Sequence, residues 1–202
     1  MGVLERRSEG LYCPAAEAWI DPSRPVKRAM ITHAHADHAP PGSGEYWAVN
    51  QAEGVLRQRL GREIRLHSVG YGETLTIGEA KVSFHSAGHV LGSAQIRIEV
   101  GGEVWLVTGD YKRCHDPSCA PFESVMCDVL ITESTFGLPI YRWKPGQEIA
   151  EEIYEWWHDE KEHPSLLFCY AFGKAQRVLA EFNSLGINDE ILLHGAVETV
   201  TR

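Results

Sequence analysis

The sequence lacks any apolar run close to the roughly 20 residues that a membrane-spanning helix needs, and we therefore expect no membrane association. Its first ten residues are rich in charge and contain no apolar segment like that of a secretory signal peptide. Internal repeats and low-complexity tracts are also missing. We therefore expect a cytoplasmic protein. Its 202 residues suffice for one good-sized globular domain or one and a half small ones.

Cysteine is scarce, and its spacing forms no disulfide or metal-binding framework. The five cysteines are an odd number, lie far apart and include no C-x-x-C pair. The interval between Cys114 and Cys119 matches no zinc-finger pattern, although a metal there is conceivable. We expect reduced thiols in a reducing compartment.

An excess of positive charge is missing as well. The net charge is −9, which argues against unaided binding to a polyanion. Residues 1–100 nevertheless hold eleven basic and eleven acidic residues, so the acidic excess lies in the second half. Much of it falls in residues 148–162, which predict an amphipathic helix with an acidic face. Bound divalent cations would supply positive charge where a phosphate must sit.

Short strands and turns are predicted for the first two-thirds of the chain. Gly101-Gly102 separates two apolar segments and indicates a tight hairpin. Residues 50–60 predict a helix with Asn50 as its N-cap and Glu53 completing a capping box. A different rhythm follows, typical of a βαβ region that begins near Pro164. The helix predicted at 147–159 precedes that region, which would comprise a strand at 166–170, a helix at 175–185 and a strand at 191–194.

Residues 32–38, Thr-His-Ala-His-Ala-Asp-His, carry the strongest chemical signal. His33 and His35 are two apart, so an extended loop presents both on one side. Asp37 and His38 follow where the chain turns, and they would point at a neighbouring spot. Imidazole and carboxylate together suit Zn²⁺, with Mn²⁺ or Fe²⁺ as alternatives. The competing interpretation, a His-rich surface loop, fits poorly because the cluster abuts a buried strand.

Two later residues are further ligand candidates because each lies in a loop at the end of a predicted strand. His89 stands in the Gly-flanked segment Ala-Gly-His-Val-Leu-Gly-Ser, and Asp110 in Thr-Gly-Asp-Tyr. Loops at strand ends commonly carry functional groups. Taken alone, each residue could equally be a hydrogen-bonded turn residue, and the run at 33–38 favours the ligand interpretation.

These segments together resemble the metallo-β-lactamase superfamily. HAHADH at 33–38 is similar to its H-x-H-x-D-H signature, and His89 and Asp110 match its later motifs. AGHVLGSAQ, TGDYK and TESTFG resemble the β-CASP branch, which cleaves nucleic acids. The segments YKRCHDPSCAPFE and ITESTFGLPIYRW are similar to bacterial exonucleases associated with an ATP-dependent DNA ligase. The resemblance implies an α/β (α+β) fold, an αββα sandwich with the start of a β-CASP βαβ region. It implies a metallo-β-lactamase domain at 1–163 and a truncated β-CASP region at 164–202.

The resemblance also implies roles for individual residues. The first of two divalent ions would be held by His33, His35 and His89, and the second by Asp37 and His38, with Asp110 bridging both. Asp21 would be a carboxylate that steadies the HAHADH loop, although it could equally be an ordinary turn residue before Pro22. Glu133 would orient a distal catalytic histidine, and Asp37 would orient the attacking water. Lys174 and Arg177 open a helix after Gly173 and would contact phosphate, a weak signal by itself.

The sequence departs from the β-CASP pattern in its second half. Two further histidine motifs are expected there, but only His158, His163 and His194 follow Glu133, and none has a matching context. The segment YAFGKAQR resembles the opening of the β-CASP cassette. We therefore expect a fragment or truncated product with reduced activity.

The expected function is hydrolysis of phosphodiester bonds by metal-activated water. The leading hypothesis is a DNA exonuclease of ligase-associated repair, working with an ATP-dependent DNA ligase and a helicase; DNA is preferred to RNA only through the subfamily resemblance. An RNA-processing nuclease and a small-molecule hydrolase of the thioesterase or lactamase type are alternatives. A third, a non-catalytic binding subunit, is disfavoured because every ligand expected within this length is present.

Overall fold

A computed structural model describes residues 2–159 and 163–201, which separate into two compact units. The first comprises the chain up to Arg113 together with Cys119–Glu133, and the second comprises Cys114–Ser118 and the chain from Ser134 onward. The two sheets and four helices described below match the predicted α/β fold of metallo-β-lactamase type. The domain boundary between residues 163 and 164 stays a prediction.

A six-stranded sheet forms the N-terminal part of the first unit. Its strands lie in sequence order, antiparallel from β1 to β3 and parallel from β3 to β6. Their inward side chains, Ile20, Met30 and Tyr46 among them, are buried. The bounds are β1 (Glu5–Arg7), β2 (Gly10–Cys13), β3 (Ala18–Ile20), β4 (Arg28–Met30), β5 (Glu45–Val49) and β6 (Leu66–Val69). The run at 32–38 follows β4 and therefore starts from a buried strand end.

A five-stranded sheet in the order β11-β10-β9-β8-β7 completes the first unit. Gly101 and Gly102 have φ values of 61° and 91° and join β9 to β10 as the predicted hairpin. Phe84, Ile96 and Ile98 are buried on this sheet. The strands are β7 (Thr74–Ile77), β8 (Ala80–Ser86), β9 (Ala94–Val100), β10 (Glu103–Val107) and β11 (Val129–Ile131). The loops after β8 and β10 carry His89 and Asp110.

The helix predicted at 50–60 forms in two pieces, a 3-10 turn at Asn50–Ala52 followed by α1 (Glu53–Leu60). Gly61 ends it with φ of 112°, as expected. The capping box was wrong: the residue before α1 is Ala52, which has no side-chain cap. Glu53 instead accepts hydrogen bonds from Arg57 and Ser68, because the 3-10 turn moves the start of α1 past Asn50.

The second unit contains α2 (Gly146–Asp159), α3 (Lys174–Ser184) and α4 (Gly195–Thr201). The rings of Trp157 and Phe182 stack 6.5 Å apart where α2 packs on α3. The strands predicted at 166–170 and 191–194 were wrong for the described chain, since both segments lack ladder partners there and expose most of their apolar side chains. A strand needs a hydrogen-bonded neighbour, whatever its β-propensity. Among the described residues, none of the helices combines the length and apolarity of a membrane span.

Candidate metal centre

Three loops of the first unit bring four of the predicted ligands together. One ligand atom from each of His33, His35, His89 and Asp110 lies within 4.8 Å of all the others. His33 Nε2 is 2.9 Å from His35 Nδ1 and 3.9 Å from Asp110 Oδ2. His89 Nε2 is 3.4 Å from His35 Nδ1 and 3.8 Å from the same carboxylate oxygen. Residues far apart in sequence thus present nitrogen and oxygen donors to one point.

The donor set fits a tetrahedral zinc ion. Metal–ligand bonds of 2.0–2.2 Å place tetrahedral donors about 3.4 Å apart. The four separations given above, from 2.9 to 3.9 Å, lie on both sides of that value, and all pairs of ligand atoms lie within 4.8 Å. Three imidazoles and one carboxylate are also ordinary zinc ligands. The first predicted metal position therefore has suitable chemistry and suitable spacing.

Asp110 faces two groups of donors. Its Oδ2 points to His33 and His89, whereas its Oδ1 lies 3.5 Å from His38 Nε2. His38 Nε2 is also 3.6 Å from Asp37 Oδ2, so His38, Asp37 and the second oxygen of Asp110 form a neighbouring group. A carboxylate that bridged two ions would face two groups of donors in this way, although among the described residues only the first group has all its ligand atoms within 4.8 Å of one another. The binding of a second ion by Asp37 and His38 stays a prediction.

Asp21 holds both ends of the HAHADH loop by hydrogen bonds to Thr32 and His38. Its Oδ1 accepts the Thr32 backbone N–H at 2.8 Å, and its Oδ2 accepts the Thr32 hydroxyl at 2.5 Å. The same Oδ2 lies 2.7 Å from His38 Nδ1 and accepts a hydrogen bond from it. Because the Thr32 hydroxyl donates to Asp21, it accepts from His33 Nδ1 at 3.1 Å. One carboxylate thereby turns the Nε2 lone pairs of His33 and His38 toward Asp110.

Burial and neighbouring charges lower the pKa of two of the histidines and raise that of a third. Burial and the neighbouring imidazoles lower the pKa of His33 far below its usual range. Burial and His35 also lower the pKa of His89. Burial acts in the same direction on His38, but its hydrogen bond to Asp21 and the nearby carboxylates outweigh burial and raise its pKa. His33 and His89 are therefore neutral and ready to bind metal over a wider pH range than His38.

A cavity of about 300 Å³ opens beside the cluster. Leu11 and Ile131 contribute apolar surface, and the carboxylates of Asp37, Asp110 and Glu133 contribute negative charge. The Asp37 side chain is 79% exposed, so it is open to solvent. Glu133, which follows β11, belongs to the same cavity as the second group of donors. Within the described chain, this lining includes no lysine or arginine.

The two predicted phosphate contacts lie in the second unit, at the start of α3. Arg177 Nε lies 3.4 Å from a carboxylate oxygen of the buried Asp116. A phosphate at Arg177 would therefore compete with this ion pair. Lys174 Nζ lies 4.9 Å above the ring of Tyr170. Their role in binding nucleic acid stays a prediction.

Sequence reasoning missed the supporting role of Gly109. Its φ is 56°, and a Cβ built on it would lie 2.5 Å from the Thr32 side chain. Glycine therefore allows the loop of Asp110 to pass directly over the loop of His33. The signal was present, since Gly109 stands immediately before a ligand candidate, but Thr32 is remote in sequence.

The chain is similar to several known proteins, although no family model matches it. A protein of Opitutus terrae named a probable DNA ligase is 31% identical over 199 residues, which are 96% of this chain and 19% of that protein. An endoribonuclease YSH1 of Eremothecium gossypii is 33% identical over 119 residues, 57% of this chain and 15% of that protein. The chain thus spans about a fifth or less of the length of these relatives.

Several solved structures are similar to this chain. One of them is a crystal structure of a protein of unknown function from Enterococcus faecalis V583, with a TM-score of 0.50 and 12% sequence identity. The match covers 77% of this chain and 44% of the other. At that identity the likeness concerns the path of the backbone alone.

Proposed function

We propose that this chain, a member of the β-CASP branch of the metallo-β-lactamase superfamily, provides the metal centre of a nuclease. Its relatives match the resemblance predicted from the HAHADH and TESTFG motifs. The observation that carries the proposal is the placement of Asp110, whose two carboxylate oxygens face two separate groups of donors. Such a site is suited to hydrolysis of a phosphodiester bond by an activated water.

The proposed cofactor is a pair of divalent ions, with Zn²⁺ favoured by the imidazole-rich donor set and Mn²⁺ or Fe²⁺ as alternatives. When bound, such a pair would lower the pKa of a water to about 7 and neutralise charge on the phosphate oxygens. His33, His35 and His89 would hold the first ion, Asp37 and His38 the second, and Asp110 both.

The remaining chemistry belongs to the chain's own carboxylates. Asp21 keeps protons on the Nδ1 atoms of the two histidines that it orients, directly or through Thr32, so their Nε2 atoms stay free to ligate. Asp37 is exposed beside the cavity and would accept a hydrogen bond from the attacking water. Glu133 lines the same cavity, where we propose that it orients a proton-donating group.

For the substrate we propose DNA, cleaved exonucleolytically during ligase-associated repair in the cytoplasm. The support is the relative named a probable DNA ligase, which aligns with nearly the whole chain. A ligase and a helicase are the proposed functional partners. The relative named an endoribonuclease supports RNA as the alternative substrate. A lactamase or thioesterase function is not favoured, because neither relative carries such a name.

The test compares end-labelled DNA and RNA of one sequence, with the protein in excess and Zn²⁺ or Mn²⁺ added. We expect release of nucleotides from DNA, and loss of that release with a chelator and in Asp110→Ala. Faster cleavage of RNA would move the substrate proposal to RNA. Hydrolysis of a lactam or thioester panel without cleavage of either nucleic acid would contradict a nuclease.

A further inference from the structure

We infer that α1 fixes the distance between the loops that carry the ligand candidates, and that Arg59 is the positioning residue on this helix. The inference rests on the proposed metal centre and assigns a role to a helix that carries none of the ligands. It depends on one contact at each end of the helix.

The C-terminal end of α1 holds the HAHADH loop. Arg59 lies in the last turn, and its Nη1 donates a hydrogen bond of 2.5 Å to the Ala34 carbonyl oxygen. Ala34 is fully buried and stands between His33 and His35. A charged donor makes a stronger hydrogen bond than a neutral one. The guanidinium therefore fixes the backbone between two ligands of the first metal position.

Ala52, the residue before α1, contacts the loop that carries His89. Gly92 has a φ of 72°, and a Cβ added there would lie 2.4 Å from the Ala52 backbone nitrogen. The two backbones therefore touch without an intervening side chain. In the same loop, Ser93 Oγ accepts the backbone N–H of His89 at 3.0 Å, which stiffens the segment that presents His89. The loop thus rests directly on the residue that precedes α1.

The helix itself is anchored in the core of the first unit. Val55 and Leu56 are buried, and Leu56 is fully enclosed. A rigid element that contacts both loops fixes the distance between His89 and the pair His33 and His35. Metal affinity depends on such outer supports, whose loss typically weakens binding by roughly 10–100-fold.

Replacing Arg59 tests whether α1 positions the loops. Arg57 on the same helix supplies a matched control. Arg57 also donates to backbone carbonyls, those of Arg62 and Ile64, and pairs with Glu53, but these contacts lie away from the HAHADH loop. The variants are Arg59→Gln, Arg59→Lys and Arg57→Gln. Zn²⁺ affinity is measured by competition with a chromophoric chelator, and thermal unfolding is followed on the metal-free protein.

We expect Arg59→Gln to weaken Zn²⁺ binding at the first metal position by roughly 10–100-fold and Arg59→Lys to recover part of that loss. Arg57→Gln should lower the unfolding temperature while Zn²⁺ affinity stays within about twofold of wild type. The visible spectrum of bound Co²⁺ should change in Arg59→Gln and not in Arg57→Gln, because only the former alters the ligand geometry.

Equal Zn²⁺ affinity in wild type and Arg59→Gln would overturn the inference that α1 positions these loops. If Arg59→Gln does not fold, Gly92→Ala provides the same test from the other end of the helical segment, and unchanged affinity there would also overturn the inference. Failure of the wild-type chain to bind any Zn²⁺ is a different result, since it would reject the proposed metal centre itself.

Discussion

A single carboxylate, that of Asp21, orients two histidines of the candidate metal centre. It accepts three hydrogen bonds, and it does so from a left-handed conformation with φ of 41°. Asparagine tolerates that conformation well. Asparagine at this position would therefore keep the backbone geometry, but its amide has only one acceptor oxygen, whereas Asp21 accepts hydrogen bonds through both of its oxygens.

Removing this carboxylate should affect both folding and metal binding. Asp21→Ala leaves the buried Thr32 N–H without its acceptor, at a cost of about 1–3 kcal/mol in the free energy of unfolding. Zn²⁺ at the His38 position should bind more weakly by roughly 10–100-fold. Urea denaturation and Zn²⁺ titration measure the two effects. Asp21→Asn is the control and should retain part of both. Identical behaviour of Asp21→Ala and wild type would show that Asp21 is only a turn residue.

The histidines should release metal in a fixed order as the pH falls. A proton competes with a metal ion for an imidazole once the pH approaches that imidazole's pKa. The pKa is lowered for His33 and His89, chiefly by burial, and raised for His38, where the hydrogen bond to Asp21 and the nearby carboxylates together outweigh burial. Competition therefore begins at higher pH for His38, and the ion there should leave first. Zn²⁺ stoichiometry measured from pH 8 downward tests the order, and simultaneous release of both ions would contradict it.

At the scale of loops and strands, the contact between Gly109 and Thr32 brings together two loops that carry ligand candidates. Gly109→Ala forces a Cβ against the Thr32 side chain at a φ of 56°. Gly101 has a nearly equal φ of 61° but nothing within 4 Å of its added Cβ. Gly101→Ala should therefore show the conformational cost alone, about 1–2 kcal/mol. We expect Gly109→Ala to lose more stability than this and to weaken Zn²⁺ binding, as measured by chemical denaturation and metal titration. Equal losses in the two variants, with unchanged affinity, would refute the role of the contact.

Elements specified by nearby residues were predictable from the sequence. The hairpin at Gly101-Gly102 and the helix ending at Gly61 formed because their turn and stop signals are local. His33 and His35 could be singled out because HAHADH is one short segment, and the structure places them beside His89 and Asp110. Their role as ligands stays a prediction. Arg59 could not be singled out, because its contact with Ala34 joins residues 25 positions apart. The strands predicted at 166–170 and 191–194 failed for a related reason: their apolar residues signal β-propensity but give no information about pairing partners.

At the scale of the whole molecule, the net charge of −9 opposes contact with a nucleic acid. The cavity beside the cluster is lined by carboxylates and apolar groups, without lysine or arginine among its described residues. Metal ions would then be the main positive charge available to a phosphate. Binding of DNA, and not only its hydrolysis, should accordingly depend on metal.

Fluorescence anisotropy of a labelled single-stranded oligonucleotide, under conditions too brief for cleavage, measures this dependence. We expect affinity to rise by at least about tenfold, some 1.4 kcal/mol, when two equivalents of Zn²⁺ are added to the metal-free protein. His38→Ala should reduce that rise. Equal affinity with Zn²⁺ and with a chelator would mean that the phosphate is bound elsewhere on the chain.

The number of metal ions bound by each chain tests the central claim most directly. Asp110 serves both groups of donors, whereas His38 serves only the second. After loading with Zn²⁺ and exhaustive dialysis, elemental analysis should give two ions per wild-type chain and one per His38→Ala chain. Asp110→Ala should retain fewer than one, with its fold verified by circular dichroism. A wild-type chain that retains one ion or none, or an Asp110→Ala chain that retains two ions, would contradict the dinuclear centre.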